Sequence, residues 1–358
     1  MRVEILERND AIDIDASQWD RLASDSQNTN PFYERWNLLA ALNYLDLDKN
    51  VKIVTAYQNG KLTGLFPVIV GKHSLGIRYL SVWQHSQCFL CDPLCFDRNE
   101  MQYLLKDVLL KTKTSIIKLP LHSELSFGSS VEHQTISFSY SRGAVKSFNE
   151  IDTYFEELPS RSKIENNRVV NRLFNVTSAE YLCSPESSKN WFQLFCRLEN
   201  SGWKGRAGGS IKSVPEVYQY YNELFKSSDA SDKIEFQGLF NRDEVLAISL
   251  RLISNNKGFD IKTSYNELFK PFYPGVVLEI LNLKALNGAE LIFLDSCASH
   301  ENRLVNRIWP AQEKICNSLY FDRKMVGLLL ELLYKIKRKI IQIWLNISNL
   351  LSGNKHER

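Results

Sequence analysis

Residues 259–295 read FDIKTSYNELFKPFYPGVVLEILNLKALNGAELIFLD, and the hydrophobic period changes three times inside them. Phe259 to Ser264 alternates in the manner of a strand with one face buried. A loop ending in Tyr273-Pro274-Gly275 leads into a helical stretch, Val276 to Asn287, which Gly288 stops. Glu290 to Asp295 then returns to strand.

Immediately upstream, Ile234 to Phe240 and Val245 to Ser254 make two more strand-like runs around the turn Asn241-Arg242-Asp243-Glu244. The order is strand, strand, strand, helix, strand. It occurs once more, about 180 residues earlier: Val51 to Tyr57, Leu62 to Val70 and Ile77 to Trp83, then a helix, Glu100 to Lys111, then Ser115 to Leu119. Asn59-Gly60 turns the first pair, because that dipeptide takes positive φ readily. Met101, Leu104, Leu105, Val108 and Leu109 share one face of the helix.

Helical sequence precedes each sheet. Asn30 is expected to cap a helix starting at Pro31. In the second half, Pro159 to Phe174 carries Arg161, Lys163, Arg168 and Arg172, and Glu186 to Asn200 carries Trp191, Leu194, Phe195 and Leu198 at helical spacing. The expected class is mixed α+β, with two tandem halves at 1–145 and 146–323, each a twisted mixed sheet flanked by helices.

The tail, 324–358, stands apart. Leu328, Leu329, Leu332, Leu333, Ile336, Ile340, Ile343 and Trp344 recur at helical spacing beside Lys335, Lys337, Arg338 and Lys339. Such an amphipathic helix packs on its own body, joins a homodimer, or lies peripherally on an anionic membrane through 324–351. Charges interrupt every stretch long enough to span.

With 358 residues, 44% of them hydrophobic and 24% charged, the chain has the makings of two cored domains. Its 44 basic and 41 acidic side chains nearly balance at +3, which argues against a nucleic-acid footprint over the whole molecule, so no DNA partner is expected. The first residues show no secretory leader and the seven cysteines no disulfide framework, so the cytoplasm is the expected compartment, with the inner membrane surface open to the tail. Cys88, Cys91 and Cys95 lack a fourth local ligand and read as buried small hydrophobes; no metal is expected.

The helix opening at Gly275 and Val276 suits an anion. Its first turn points free backbone N–H groups and a partial positive charge at the preceding loop, and Gly275 lets a ligand approach. The same local sequence equally starts a packed helix.

Three runs together resemble the double-domain GNAT acetyltransferases, relatives of the FemAB aminoacyltransferases and of proteins from polysaccharide and cell-envelope loci. They are Glu199-Asn200-Ser201-Gly202-Trp203-Lys204-Gly205, the Tyr265 to Gly275 stretch, and Asp295-Ser296-Cys297-Ala298 followed by Trp309. The resemblance spans Asn30 to Trp309 and implies a GNAT fold in each half, acyl-CoA as cosubstrate and an amine as acceptor, on a nucleotide-linked amino sugar or another cell-envelope precursor. The chain departs from single-domain GNAT enzymes in lacking a Q/R-x-x-G-x-G/A run before the Val276 helix. An aminoacyl-tRNA donor, as in the FemAB group, therefore stays open, and so does a non-catalytic sugar- or partner-binding protein.

Acyl transfer from a thioester to an amine needs a base for the amine, donors for the oxyanion and a proton for the thiolate. Asp295 closes the second unit and is the expected base, although an Asp after a strand also serves as a turn cap. Tyr265 or Tyr273 is the expected acid. Lys262, Pro274, Gly275 and Val276 are the expected cofactor contacts. For the acceptor the set is Glu199, Trp203, Lys204, Asp260, His300, Asn302 and Trp309, with Trp203 and Lys204 as a lid between glycines. Asp260 and Lys262 alternate along one strand and are expected on one face, lining the pocket or forming a salt bridge. The first half has Asp92-Pro93 and its cysteines where the second has Tyr-Pro-Gly, and is expected to wall the acceptor cleft.

Overall fold

In the computed structural model, residues 1–72, 78–124, 126–127, 134–184, 188–242, 244–302, 308–322 and 324–353 are described, with backbone alone at 184, 188–190 and 341–353. Ile77, Asp243, Glu186 and the last five residues lie outside the described residues, as do the side chains of Ile343 and Trp344.

The elements follow the chain in this order: β1 (Arg2–Glu7), α1 (Ala16–Asp25), α2 (Arg35–Tyr44), β2 (Val51–Gln58), β3 (Lys61–Lys72), β4 (Arg78–Val82), β5 (Leu94–Cys95), α3 (Met101–Thr112), β6 (Ile116–Ser123) and β7 (Gln134–Val145). The second half continues with α4 (Ile151–Glu157), α5 (Ser160–Val176), β8 (Ala179–Ser184), α6 (Ser188–Ser201), α7 (Trp203–Arg206), α8 (Pro215–Lys226), β9 (Ile234–Asn241), β10 (Glu244–Ser254) and β11 (Lys257–Tyr265). It ends with α9 (Pro274–Lys284), β12 (Phe293–Asp295), β13 (Ala311–Phe321) and α10 (Met325–Gly353).

Among the described residues all strands join one sheet in the order β1-β2-β3-β4-β6-β13-β7-β12-β11-β10-β9-β8, with β5 beside β3. Two neighbouring pairs are parallel, β4 with β6 and β11 with β12; the other pairings are antiparallel. Each parallel pair requires a crossover, and α3 and α9 supply them, so the duplicated order is a duplicated topology. The Asn59-Gly60 turn has φ of 51° and 75°, as expected for a tight hairpin.

The expected cut at residue 145 does not separate two sheets. β7 precedes the cut in sequence, yet it pairs with β12 at Val145–Leu294 and Ala144–Asp295. β13, near the end of the chain, lies between β6 and β7. The halves thus exchange edge strands, and the exchange covers edges that would otherwise be open.

Helix α2 starts at Arg35, not at Pro31. Asn30 is fully buried: its side chain accepts from Phe32 N (2.9 Å) and donates to the Leu90 and Asp92 carbonyls (3.2 and 2.7 Å). It fastens the cysteine-rich loop instead of capping a helix, because those two carbonyls have left the ladder and need donors. In that loop the Cys88 and Cys91 sulfurs are 3.7 Å apart, and burial pushes the Cys95 thiol up to about 12.

One core joins the halves. It includes Trp19, Phe32, Trp83, Phe195, Tyr220 and Phe236, and α8 packs on α2 with Tyr220 donating to Asn37 at 2.6 Å. Across the sheet, α9 packs with α5 around Leu173, Val277 and Leu278. Helix α9 therefore stands on the side of the sheet away from the inter-half core.

Candidate active site

β11 and β12 are in register only from Lys257–Phe293 to Phe259–Asp295. After Asp295 the chain turns away, with Ser296 N bonding the Gly143 carbonyl of β7 at 3.0 Å. Asp260 to Tyr265 therefore run on without β12, and the sheet opens as a wedge. Opposite the wedge, Asn266 accepts from Leu268 N and starts a 3-10 turn, Glu267–Phe272. Tyr273 follows in the left-handed conformation (φ 54°, ψ 47°) and turns the chain into α9 with Pro274 in its first turn.

A cavity of about 370 Å³ fills this angle. Thr263 and Tyr265 line it from β11, Lys270 and Tyr273 from the turn, Pro274, Gly275, Val276 and Glu279 from α9, and Asn302 from the loop beyond β12. Five expected residues thus meet at the cavity with Asn302: Tyr265, Tyr273, Pro274, Gly275 and Val276. The Tyr273 carbonyl takes the Val276 and Val277 N–H groups (2.9 and 3.0 Å), and among the described backbone bonds none uses the Gly275 N–H. A Cβ at Gly275 would meet the Tyr265 ring at 3.4 Å, ordinary contact, so a methyl fits and a larger group fills the cavity.

Glu279 stands one turn along from Gly275 on the same face. Trp309 Nε1 donates to its Oε1 at 2.5 Å. Burial pushes this carboxyl up to about 7; the charge of Asp260 acts in the same direction, while the Trp309 hydrogen bond and Arg251 oppose it. The geometry leaves a group poised to take a proton near neutral pH, reached from the cavity. The expected acceptor contact Trp309 instead holds Glu279, and its indole lies so close on β7 that a Cβ at Gly143 would sit 2.7 Å from its Cγ.

Asp295 lies elsewhere. Both Asp295 and Arg142 of β7 are buried, and Arg142 Nη2 donates to Oδ2 at 2.5 Å while Cys297 N donates to Oδ1 at 2.9 Å. Its niche, about 150 Å³ and lined also by Asp92, Arg98 and Lys257, is distinct from the cavity at α9. The carboxylate expected as base is committed to an ion pair between the exchanged strands.

Asp260 and Lys262 do not share a face. The β10 register steps from Leu250–Lys262 to Arg251–Asp260, a bulge that leaves Ile261 as the extra residue. Asp260 pairs with Arg251 (2.6 and 3.1 Å) on the side of Glu279. Lys262 is 5.9 Å from the Tyr221 ring of α8; burial pushes its ammonium down to about 8 against the pull of Glu199. It does not line the α9 cavity.

Glu199 is buried, bonding Lys204 Nζ at 3.1 Å and Ile211 N at 2.7 Å, so it fixes the loop after α7. Trp203 donates its N–H to Glu267 at 2.7 Å and leaves its indole 56% exposed, hence not closed over the cavity. These residues border a small niche that shares Thr263 and Tyr265 with the cavity. His300 is exposed against Phe138 and Tyr140, at 5.7 Å from each ring, on the β7 side.

Glu279 and Arg142 were not singled out by sequence reasoning. Glu279 had a signal: it is the one carboxylate among Val276, Val277, Leu278, Ile280 and Leu281, two turns at most from the helix start. Arg142 had none, since its partner is 153 residues away.

Residues 167–302, which contain β9 to β12 and the cavity, match the family model of the acetyltransferase (GNAT) domain. This match puts an acetyltransferase (GNAT) domain in the second half of the chain. Among solved structures, FemX is 10% identical, with 92% of this chain and 100% of that chain covered and a TM-score of 0.57. The C-terminal domain of an Agrobacterium fabrum protein named as a lysylphosphatidylglycerol synthetase is 8% identical, with 90% and 95% covered and a TM-score of 0.52. A conserved protein of unknown function from Bacteroides thetaiotaomicron is 12% identical, with 86% and 98% covered and a TM-score of 0.50. At these identities the likeness concerns the fold. The sequence matches none of the curated proteins.

Proposed function

We propose that the protein is an N-acyltransferase that moves an acyl group from acyl-CoA directly to an amine at the β11–α9 cavity. The single observation that carries this is the meeting, in one cavity, of the wedge beside β11, the opening of α9 and Glu279. The Gly275 N–H, the α9 dipole and Lys270 suit a pyrophosphate. The free edge of β11 from Asp260 suits the amides of a pantetheine arm, which pair with main-chain groups as an added strand does.

Glu279 takes the proton from the acceptor amine, directly or through water. The nitrogen then bonds the acyl carbon as the carbon–sulfur bond breaks, and Tyr265 or Tyr273 protonates the departing thiolate. Arg251 holds Asp260 beside Glu279, and Trp309 orients the carboxyl. The acceptor class we infer is an amine on a nucleotide-linked amino sugar or another cell-envelope precursor in the cytoplasm, supported by the resemblance of the Glu199 to Gly205 and Tyr265 to Gly275 runs.

Calorimetric titration with acetyl-CoA tests the donor. Saturable heat at one site per chain is expected. No heat, together with salt-sensitive binding of aminoacyl-tRNA, would shift the donor to tRNA; affinity for a sugar ligand without any acyl-CoA turnover would make the protein a binding module.

A further inference from the structure

Over residues 325–340 the C-terminal helix α10 packs on β13, and its buried side chains share one side. Gly327, Glu331 and Tyr334 face the body; Tyr334 lies 6.4 Å from the Phe321 ring, and Arg338 reaches the Ile136 carbonyl of β7. The other side is apolar and open: Leu329 is 55% exposed, Leu333 52% and Ile340 61%, with Leu328, Leu332 and Ile336 likewise exposed. At helical spacing Leu329, Leu332, Leu333, Ile336 and Ile340 fall within an arc of about 100°. Lys339 and Lys337 stand just beyond its two edges, about 20° and 40° away.

We infer that this face docks in the plane of an anionic lipid bilayer surface. Amphipathic helices of this kind bury the apolar arc at the headgroup boundary while flanking lysines meet lipid phosphates. The charge pattern favours lipid over a second copy of the chain. Between Lys324 and Gly353 the sequence has one acid, Glu331, and it sits on the packed side in an ion pair with Lys335 at 2.6 Å. Two such faces brought together would set lysines against lysines with no carboxylate between them. Spanning is a different matter: among the described residues no helix is long and apolar enough to cross a membrane. The 29 residues of α10 offer instead a rod about 43 Å long lying along the surface. The inference stands independently of the acyl-transfer reading, since none of these residues lines the α9 cavity.

Co-sedimentation of the full chain with vesicles tests it, using phosphatidylcholine alone and phosphatidylcholine mixed with phosphatidylglycerol. Pelleting is expected with the mixed vesicles and not with the neutral ones, and it should weaken as salt shortens the Debye length from about 10 Å to about 3 Å. The triple variant Leu329→Ser, Leu333→Ser, Ile336→Ser should bind at least about tenfold more weakly. Replacing Lys337 and Lys339 with glutamine should weaken binding about tenfold as well. These side chains are exposed, so melting temperatures should match the parent chain and show that the variants fold. Absence of pelleting, or equal pelleting of the triple variant, overturns the proposal. So does a dimer in sedimentation velocity that the triple variant abolishes, which would give the face to a second copy.

Discussion

Arg142 of β7 and Asp295 at the end of β12 form an ion pair at 2.5 Å with both side chains buried, and it ties together strands that lie on opposite sides of the expected cut between the halves. Arg142 also donates to the Phe89 carbonyl at 2.8 Å, so the same guanidinium reaches the cysteine-rich loop.

Removing one partner strands the other charge in the interior. Asp295→Asn or Arg142→Leu should therefore destabilise the fold by about 3–5 kcal/mol, read from denaturant unfolding. The double variant Arg142→Leu, Asp295→Leu should cost less than the two single changes added together. Asp295→Asn that keeps full stability and loses turnover would return this carboxylate to the role of base.

Glu279→Gln retains the Trp309 hydrogen bond and removes the proton acceptor. Turnover should fall by roughly 10²–10⁴-fold with little change in affinity for acyl-CoA. Because the carboxyl is pushed up to about 7, wild-type kcat/KM should decline as pH falls below that value, where Glu279 is protonated. The variant should lack this limb of the profile.

At Gly275 size decides the outcome. Gly275→Ala puts its methyl in ordinary contact with Tyr265 and should be nearly neutral, whereas Gly275→Phe should occupy the cavity and lower acyl-CoA affinity by about tenfold or more without unfolding the chain. Calorimetry and a melting curve separate the two effects.

His122 sits at the β6–β13 seam, with Nε2 2.7 Å from Ser318 Oγ and Nδ1 2.8 Å from the Ser123 carbonyl. Burial pushes its value down from 6.5 to about 4, against a smaller effect of the Ser123 bond. The folded state thus prefers the neutral ring. Its contribution to stability is complete above 6.5 and is lost as pH falls toward about 4. His122→Asn should flatten the pH dependence of stability in that window by on the order of 1–3 kcal/mol relative to the parent chain.

Local period carried the ten core strands and helices of the two units. The Leu104, Leu105 and Val108 face, the Asn59-Gly60 turn and the Tyr273-Pro274-Gly275 loop each express one short-range rule, and each stands where that rule puts it. The strand exchange is different. β7, which no expected strand covers, alternates Ile136, Phe138 and Tyr140, and its pairing with β12 is fixed by contacts that no local pattern encodes.

The site divides in the same way. Pro274, Gly275, Val276 and Tyr265 follow from a helix opening beside a strand. Asp260 and Lys262 part company because one extra residue, Ile261, shifts the register, and that depends on β10 as much as on β11. Asp295 was read from its place at a strand end; which way its carboxylate would be claimed depended on Arg142, 153 residues distant. Asn30 misled for a similar reason, its side chain being drawn to carbonyls of a loop 60 residues on.

Hydrogen exchange with and without coenzyme A tests the central claim, that the acyl donor lies along the open edge of β11 and against the start of α9. The account predicts that coenzyme A slows exchange at the amides of Asp260 to Tyr265 and Gly275 to Val277 while leaving Val51 to Lys72 unchanged. Protection confined to the first half, or to the niche around Asp92 and Asp295, would contradict it.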